Sequence, residues 1–446
     1  MGRGPHANGL AVCPDVQRRL GTADAVVLGL GAMLGAGVFT AFTPAARAAG
    51  SWLLLALVLA AVVATCNAVS SADLAVNYPQ SGGAYVYAGR LLGRWPARLA
   101  GVAFVVGKTS SAAAAAGTLG AYVAPEHPLP VALGAVAALT MVNAAGVRKT
   151  VAVTWALVAV VLAVLGAVVV AGLAGGSGGW LGHQAGGSAG WFGHQTGGPG
   201  FAYHTEGLAV AEVTPLGVLT AAGLLFFAFA GYARLATLGE EVRNPRRTLR
   251  LAIPLALGAA LLVYLAVALA LLVGLGADRL AIEPAPLAAL VAGTPWLVVA
   301  VRLGAGVAAV SALLSVLVGI SRTTLAMARG GDLPAPLAHV GRRDTPWPAD
   351  LAGGAVAALI AVLAGPAAAI ALSACCVLIY YATANAAALR LPRQRRRWPS
   401  WTAWLGLALC CLLAVALPPS QVLITAVVLA VGTGLTAVIG RAPSRR

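Results

Sequence analysis

Two interruptions inside apolar stretches bring together the residue types best suited to chemistry in this chain. The first is GLGAMLGAGVF over Gly29–Phe39. It places four glycines in nine residues, and each costs about 1 kcal/mol in an ordinary helix interior. In hydrocarbon a non-helical stretch survives only when protein buries it or it lines a cavity. One reading is therefore a helix broken near Gly35–Gly37, whose freed N–H groups face an anionic group. The other is close helix packing through small residues at GxxxG spacing. A second block, FFAFAGYAR over Phe226–Arg234, lies five apolar stretches further on and so crosses in the opposite direction. Paired interruptions at corresponding places of two inverted halves point to a binding site at mid-membrane.

Charges inside apolar stretches are expensive and therefore carry a functional expectation. Lys108 stands in Gly107-Lys108-Thr109-Ser110-Ser111, in the middle of the third stretch. Burial disfavours the charged form of an amine, which suits a proton-coupled carrier. The alternatives are an ion pair, or a buried hydrogen bond to Tyr380 or Asn385. Arg234 follows the second interruption and either faces the cavity or pairs with Glu240 or Glu241, themselves read as a gate or loop anchor. Arg302 lies near an outer end and can snorkel. Ser311 and Ser315, one helical turn apart, could offer hydroxyls to sodium, although serine bonds back to its own helix as often.

These residues need apolar elements to hold them. The chain has 446 residues, 60% hydrophobic and 9% charged, with mean hydropathy +0.89. A soluble domain carries about a quarter charged residues. Apolar spans are expected at 24–43, 50–71, 97–122, 128–146, 151–173, 214–238, 251–274, 296–320, 350–365, 367–389, 400–416 and 419–439. Each approaches the roughly 20 residues that cross hydrocarbon. The formal charge of +16 is not a nucleic-acid signature. With Arg98 counted in the segment that precedes its span, all but five of the 29 Lys and Arg residues fall in alternate connecting segments, leaving Arg47 and Arg279 on the other side and Lys108, Arg234 and Arg302 within spans. That asymmetry places both termini in the cytoplasm.

Residues 1–22 are polar, with no apolar region leading to a cleavage site, so the first span is expected to be an uncleaved anchor. Residues 175–200 repeat an eleven-residue unit with Trp180/Trp191 and His183/His194 in register. Their Gly and Ser content predicts a flexible outer loop, 174–212, rather than a metal site. The six cysteines show neither metal spacing nor a disulfide framework.

Four segments together resemble the amino acid–polyamine–organocation superfamily of permeases over about residues 22–390. They are GAMLGAGVF, FFAFAGYARLATLGEEVRNPRRT, SRTTLAMARGGDLP at Ser321–Pro334 and SGGAYVYAGRLLG at Ser81–Gly93. The resemblance implies an all-α polytopic membrane protein of about twelve helices. Its core, 23–390, would be a five-plus-five inverted repeat with helices 1 and 6 broken, followed by two further helices and a tail in 391–446. It also implies a substrate carboxylate at the N–H groups of Gly35, Ala36 and Gly37. The α-ammonium would meet carbonyls around Ala32, Met33, Phe229 and Ala230, with Gly231 in the second break and Phe229 as a lid. Relatives often carry Thr or Ser where Ala36 stands, so one hydroxyl contact is lost here. Some relatives keep a lysine in span five near the coupling-ion site; this span has none, and Lys108 is expected to substitute.

The function expected is secondary active transport of an amino acid or related small amine, with proton coupling or exchange ranked above sodium. A metabolite exporter on the same fold, or a non-transporting nutrient sensor, are the alternatives. No enzyme, cofactor, metal or nucleic-acid partner is expected.

Overall fold

The computed structural model describes residues 21–78, 82–146, 151–182, 214–232, 245–341 and 345–440. Every regular element among them is a helix. Nine stretches among the described residues are long and apolar enough to cross a membrane, and three shorter apolar helices accompany them. These three are Pro128–Ala144, Trp347–Leu363 and Ser400–Ala416, with 17 residues each. At 1.5 Å per residue that is about 26 Å, the short end of what spans a bilayer.

Among the described residues these nine stretches and three shorter helices are numbered here as twelve spans. Span 1 runs in pieces through Thr22–Met33, Ala36–Thr40 and Phe42–Ala49, and span 2 is Leu53–Asn77. Gly50, at φ 53°, makes the tight turn between them, a conformation costly for residues with a Cβ. Spans 3 to 6 are Arg94–Val123, Pro128–Ala144, Val151–Gly182 and Pro215–Phe229, the last ending in a 3-10 turn, Ala230–Tyr232. Spans 7 to 12 are Pro245–Leu280, Pro295–Arg329, Trp347–Leu363, Pro366–Leu389, Ser400–Ala416 and Pro419–Ile439. Proline opens most of the later helices, where its missing N–H costs nothing. One boundary departs from the sequence reading: the helix of span 5 continues to Gly182, into the glycine-rich segment expected to be loop. The remainder of that repeat, with His183 and His194, lies outside the described residues.

Two groups of helices emerge from the packing. Spans 1, 2, 6 and 7 pack on one another, while span 3 runs through the centre against spans 8, 10, 4 and 9. Small residues allow the close approaches. A Cβ on Gly107 would stand 2.9 Å from Cys376 Cβ, and one on Gly353 would stand 2.7 Å from Ile320. Polar pairs pin the scaffold where they are buried. Ser111 and Ser373 hydroxyls lie 2.6 Å apart between spans 3 and 10, and the Asn143 amide donates to Asp350 at 2.6 Å between spans 4 and 9. Large apolar side chains such as Leu262, Leu423 and Val438 remain on the outer surface, where acyl chains can cover them. Of the cysteines, Cys66, Cys375, Cys376 and Cys410 are buried in the helix packing.

Candidate functional site

The first interruption is a true break in the helix. The helix of span 1 stops at Met33, and Leu34 closes it by donating its N–H to the Leu30 carbonyl at 2.7 Å. Gly35 takes a non-helical conformation, and a new helix starts at Ala36. It continues through Ala41, in α conformation, into Phe42–Ala49. The break therefore sits at Leu34–Gly35, and Ala36 and Gly37 form the first turn of the second half. N–H groups in a first turn have no acceptor within their own helix. Gly35 is glycine because a Cβ there would lie 2.7 Å from Ala312 Cβ on span 8.

Span 6 ends its helix at Phe229, and Ala230, Gly231 and Tyr232 turn more tightly. The break of span 1 and the described end of span 6 touch. A Cβ on Gly231 would press into the Ala32 carbonyl and stand 2.7 Å from Met33 N. One on Gly37 would stand 2.7 Å from Ala228 Cα. The structure thus brings Ala32, Met33, Gly35, Ala36, Gly37, Phe229, Ala230 and Gly231 into one region. Both readings of the first glycine run hold together: the helix is broken, and the same glycines permit backbone-to-backbone contact.

Two side chains from other spans reach carbonyls at these helix ends. Tyr264 of span 7 lies 2.6 Å from the Met33 carbonyl and 3.0 Å from the Ala228 carbonyl through its hydroxyl. Its ring meets Phe42 and Phe229 edge-on, at centroid distances of 6.5 and 5.0 Å. Lys108 of span 3 donates to the Ala230 carbonyl at 3.4 Å, with its ammonium 5.9 Å from the Phe104 ring centroid. The sequence offered Tyr380 and Asn385 as alternative partners for this amine. The Tyr380 hydroxyl accepts the Ala84 N–H at 2.9 Å, and the Asn385 amide donates to Asn67 at 2.6 Å.

Tyr264 was not singled out from the sequence. Its only signal is a phenol in the middle of the run LLVYLAVALA. Tyr264→Phe keeps the ring and removes the donor to two buried carbonyls. It is expected to lower stability by about 1–2 kcal/mol, read as a drop in the melting temperature of purified protein. An unchanged melting temperature would show that the hydroxyl holds neither break.

Of the other residues singled out, Ser315 donates back to the Ser311 carbonyl at 2.8 Å, and Ser311 is buried. Phe229 is fully buried. Arg302 is exposed on the outer surface of span 8. Arg234, Glu240 and Glu241 lie outside the described residues.

A separate cluster closes the arginine-rich end. The Asp332 carboxylate, from the glycine-rich segment after span 8, accepts from Arg98 Nε at 2.8 Å and from the Tyr85 hydroxyl at 2.9 Å. Arg98 and Asp332 side chains are 6% and 5% exposed, whereas Arg94, 3.4 Å from the same carboxylate, is 64% exposed. Tyr85 belongs to the short helix Ala84–Leu91 between spans 2 and 3. Burial, then the Asp332 carboxylate, pushes its phenol above the usual range, so it remains a donor. At the same end Asp73 accepts the N–H groups of Arg397 and Trp398 at 3.1 and 3.3 Å, anchoring the arginine run before span 11.

Nine helices long and apolar enough to cross a membrane and three shorter apolar ones among the described residues, with the break of span 1 against the end of span 6, fit a polytopic membrane protein. A family model described as amino acid permease matches residues 20–439. The chain belongs to the amino acid permease family. It is 51% identical over 421 residues to an uncharacterized transporter of Mycobacterium tuberculosis, covering 94% of this chain and 90% of that one. A vacuolar cationic amino acid transporter of Arabidopsis thaliana is 29% identical over 382 residues, covering 80% of this chain and 56% of the relative. A branched-chain amino acid permease of Bacillus subtilis is 26% identical over 382 residues, covering 78% and 75%.

Proposed function

We propose that this protein is a secondary active transporter that carries an amino acid, or a related small amine, across the bacterial cytoplasmic membrane by alternating access. The observation that carries the reading is the contact between the two breaks, Gly231 against Ala32 and Met33. At that contact, helix-starting N–H groups and helix-ending carbonyls lie within one ligand's reach, the pairing a zwitterion requires. The substrate carboxylate takes the N–H groups of Gly35, Ala36 and Gly37. Its ammonium takes carbonyls among Ala32, Met33, Phe229 and Ala230, with Phe229 as the lid.

The core is a five-plus-five inverted repeat with both termini in the cytoplasm, so the arginine-rich end faces inward. Spans 1 and 6 rock against spans 3, 4, 8 and 9, a grouping that the packing supports. Lys108 is the internal cation of coupling. It joins the scaffold to the Ala230 carbonyl of the moving break, so loss of its proton weakens the bond between the two groups. Proton coupling or exchange is ranked above sodium in this reading.

Radiolabelled uptake and counterflow in proteoliposomes test the reading. Wild-type protein is expected to concentrate substrate under an inward pH gradient. Lys108→Ala is expected to lose that drive while retaining exchange. Proton-driven uptake that survives the substitution would remove Lys108 from coupling. Binding with no counterflow would remove transport.

A further inference from the structure

We infer that the substrate is a neutral α-amino acid with a small or branched apolar side chain, and that amino acids with cationic side chains are excluded. The inference rests on the amino-acid reading above and narrows it.

Its first support is the wall beside the break. Ala36 sits in a buried cluster with Ala112, Ala115 and Ala116 of span 3 and Ala312 and Leu313 of span 8. Ala312 is the residue that abuts Gly35. A side chain leaving a substrate held at Ala36 and Gly37 meets methyl and isobutyl groups, which favour apolar cargo and leave a polar head without partners.

Its second support is charge. Lys108 puts an ammonium on the Ala230 carbonyl, in the same region. Four of the described carboxylates are committed elsewhere: Asp24 to the Gly21 N–H and the Trp155 indole, Asp73 to backbone N–H groups, Asp332 to Arg98 and Asp350 to Asn143. The α-ammonium of a zwitterion arrives with its own carboxylate. A lysine or arginine side chain would add a second cation near Lys108, with no carboxylate beside it among the described residues. Like charges brought together without a counter-charge are a strong basis for rejection. The named relatives fall on both sides of this choice, and these residues favour the branched-chain one.

The experiment is competition against uptake in proteoliposomes, with thermal shift on the same preparation. Valine, leucine, isoleucine and alanine are compared with lysine, arginine, glutamine and putrescine. The apolar set is expected to compete at about a hundredfold lower concentration than lysine or arginine. Lysine, arginine or glutamine competing as well as leucine would overturn the inference while leaving an amino acid transporter. Putrescine alone would overturn it and leave an amine carrier. No binding by any amino acid would remove the underlying reading, and the inference with it. Lys108→Glu gives an independent check, because lysine should then gain on leucine by at least about tenfold. A folded variant with unchanged preference would overturn the role given to Lys108.

Discussion

Replacing Gly231 by alanine is expected to abolish uptake and to lower the melting temperature. The added methyl has nowhere to go: it would meet the Ala32 carbonyl and Met33 N, which are main chain and cannot turn aside as a side chain can. Overpacking typically costs about 1–3 kcal/mol where neighbours can shift, and rigid backbone puts this site at the upper end. Gly37→Ala should behave alike, because its methyl would stand 2.7 Å from Ala228 Cα. The transport loss should exceed the stability loss, since separating the breaks moves donors and acceptors away from a shared ligand. Gly434→Ala in span 12 is the control. Nothing lies within 4 Å of its would-be Cβ, and alanine in place of helical glycine should stabilise by up to about 1 kcal/mol. Normal uptake by Gly231→Ala would mean that the breaks do not need to touch.

Asp332→Ala is the second large expectation. It strips the carboxylate from a nearly buried Arg98 and leaves the Tyr85 hydroxyl without its acceptor. Removing one partner of a buried pair costs about 3–5 kcal/mol, whereas replacing both partners by apolar residues is often close to neutral. The double variant Arg98→Met with Asp332→Leu should therefore melt above Asp332→Ala. A double-mutant cycle reads the coupling directly. If Asp332→Ala melts like the parent, the cluster contributes nothing to holding that end together.

Most of the scaffold was legible because hydrocarbon thickness imposes its own ruler. In its described residues each of the twelve apolar stretches is helical, span 1 in pieces, and the other differences concern their ends. The break in span 1 was legible through the cost of its glycines, though it falls at Leu34–Gly35 and leaves Ala36 and Gly37 in the new first turn. Contacts between distant residues were not legible. Tyr264 meets Met33 from 231 positions away, and Arg98 meets Asp332 from 234. Neither pairing leaves a local pattern, because each is specified only once the helices are packed. The extension of span 5 to Gly182 was missed for a related reason. Glycine content argues for loop, yet a helix already formed can carry glycines at a modest cost per residue.

Tyr264 has one further consequence, which comes from counting hydrogens. A phenol owns a single proton, and this one lies between the carbonyls of Met33 and Ala228. At any instant it can bond one of them fully and the other only weakly. The two carbonyls therefore share one side-chain donor, in surroundings where a missing hydrogen bond is costly. Under the function proposed above, a substrate ammonium would bring three N–H groups to this place, and part of its attraction would be stored in the protein before it arrives.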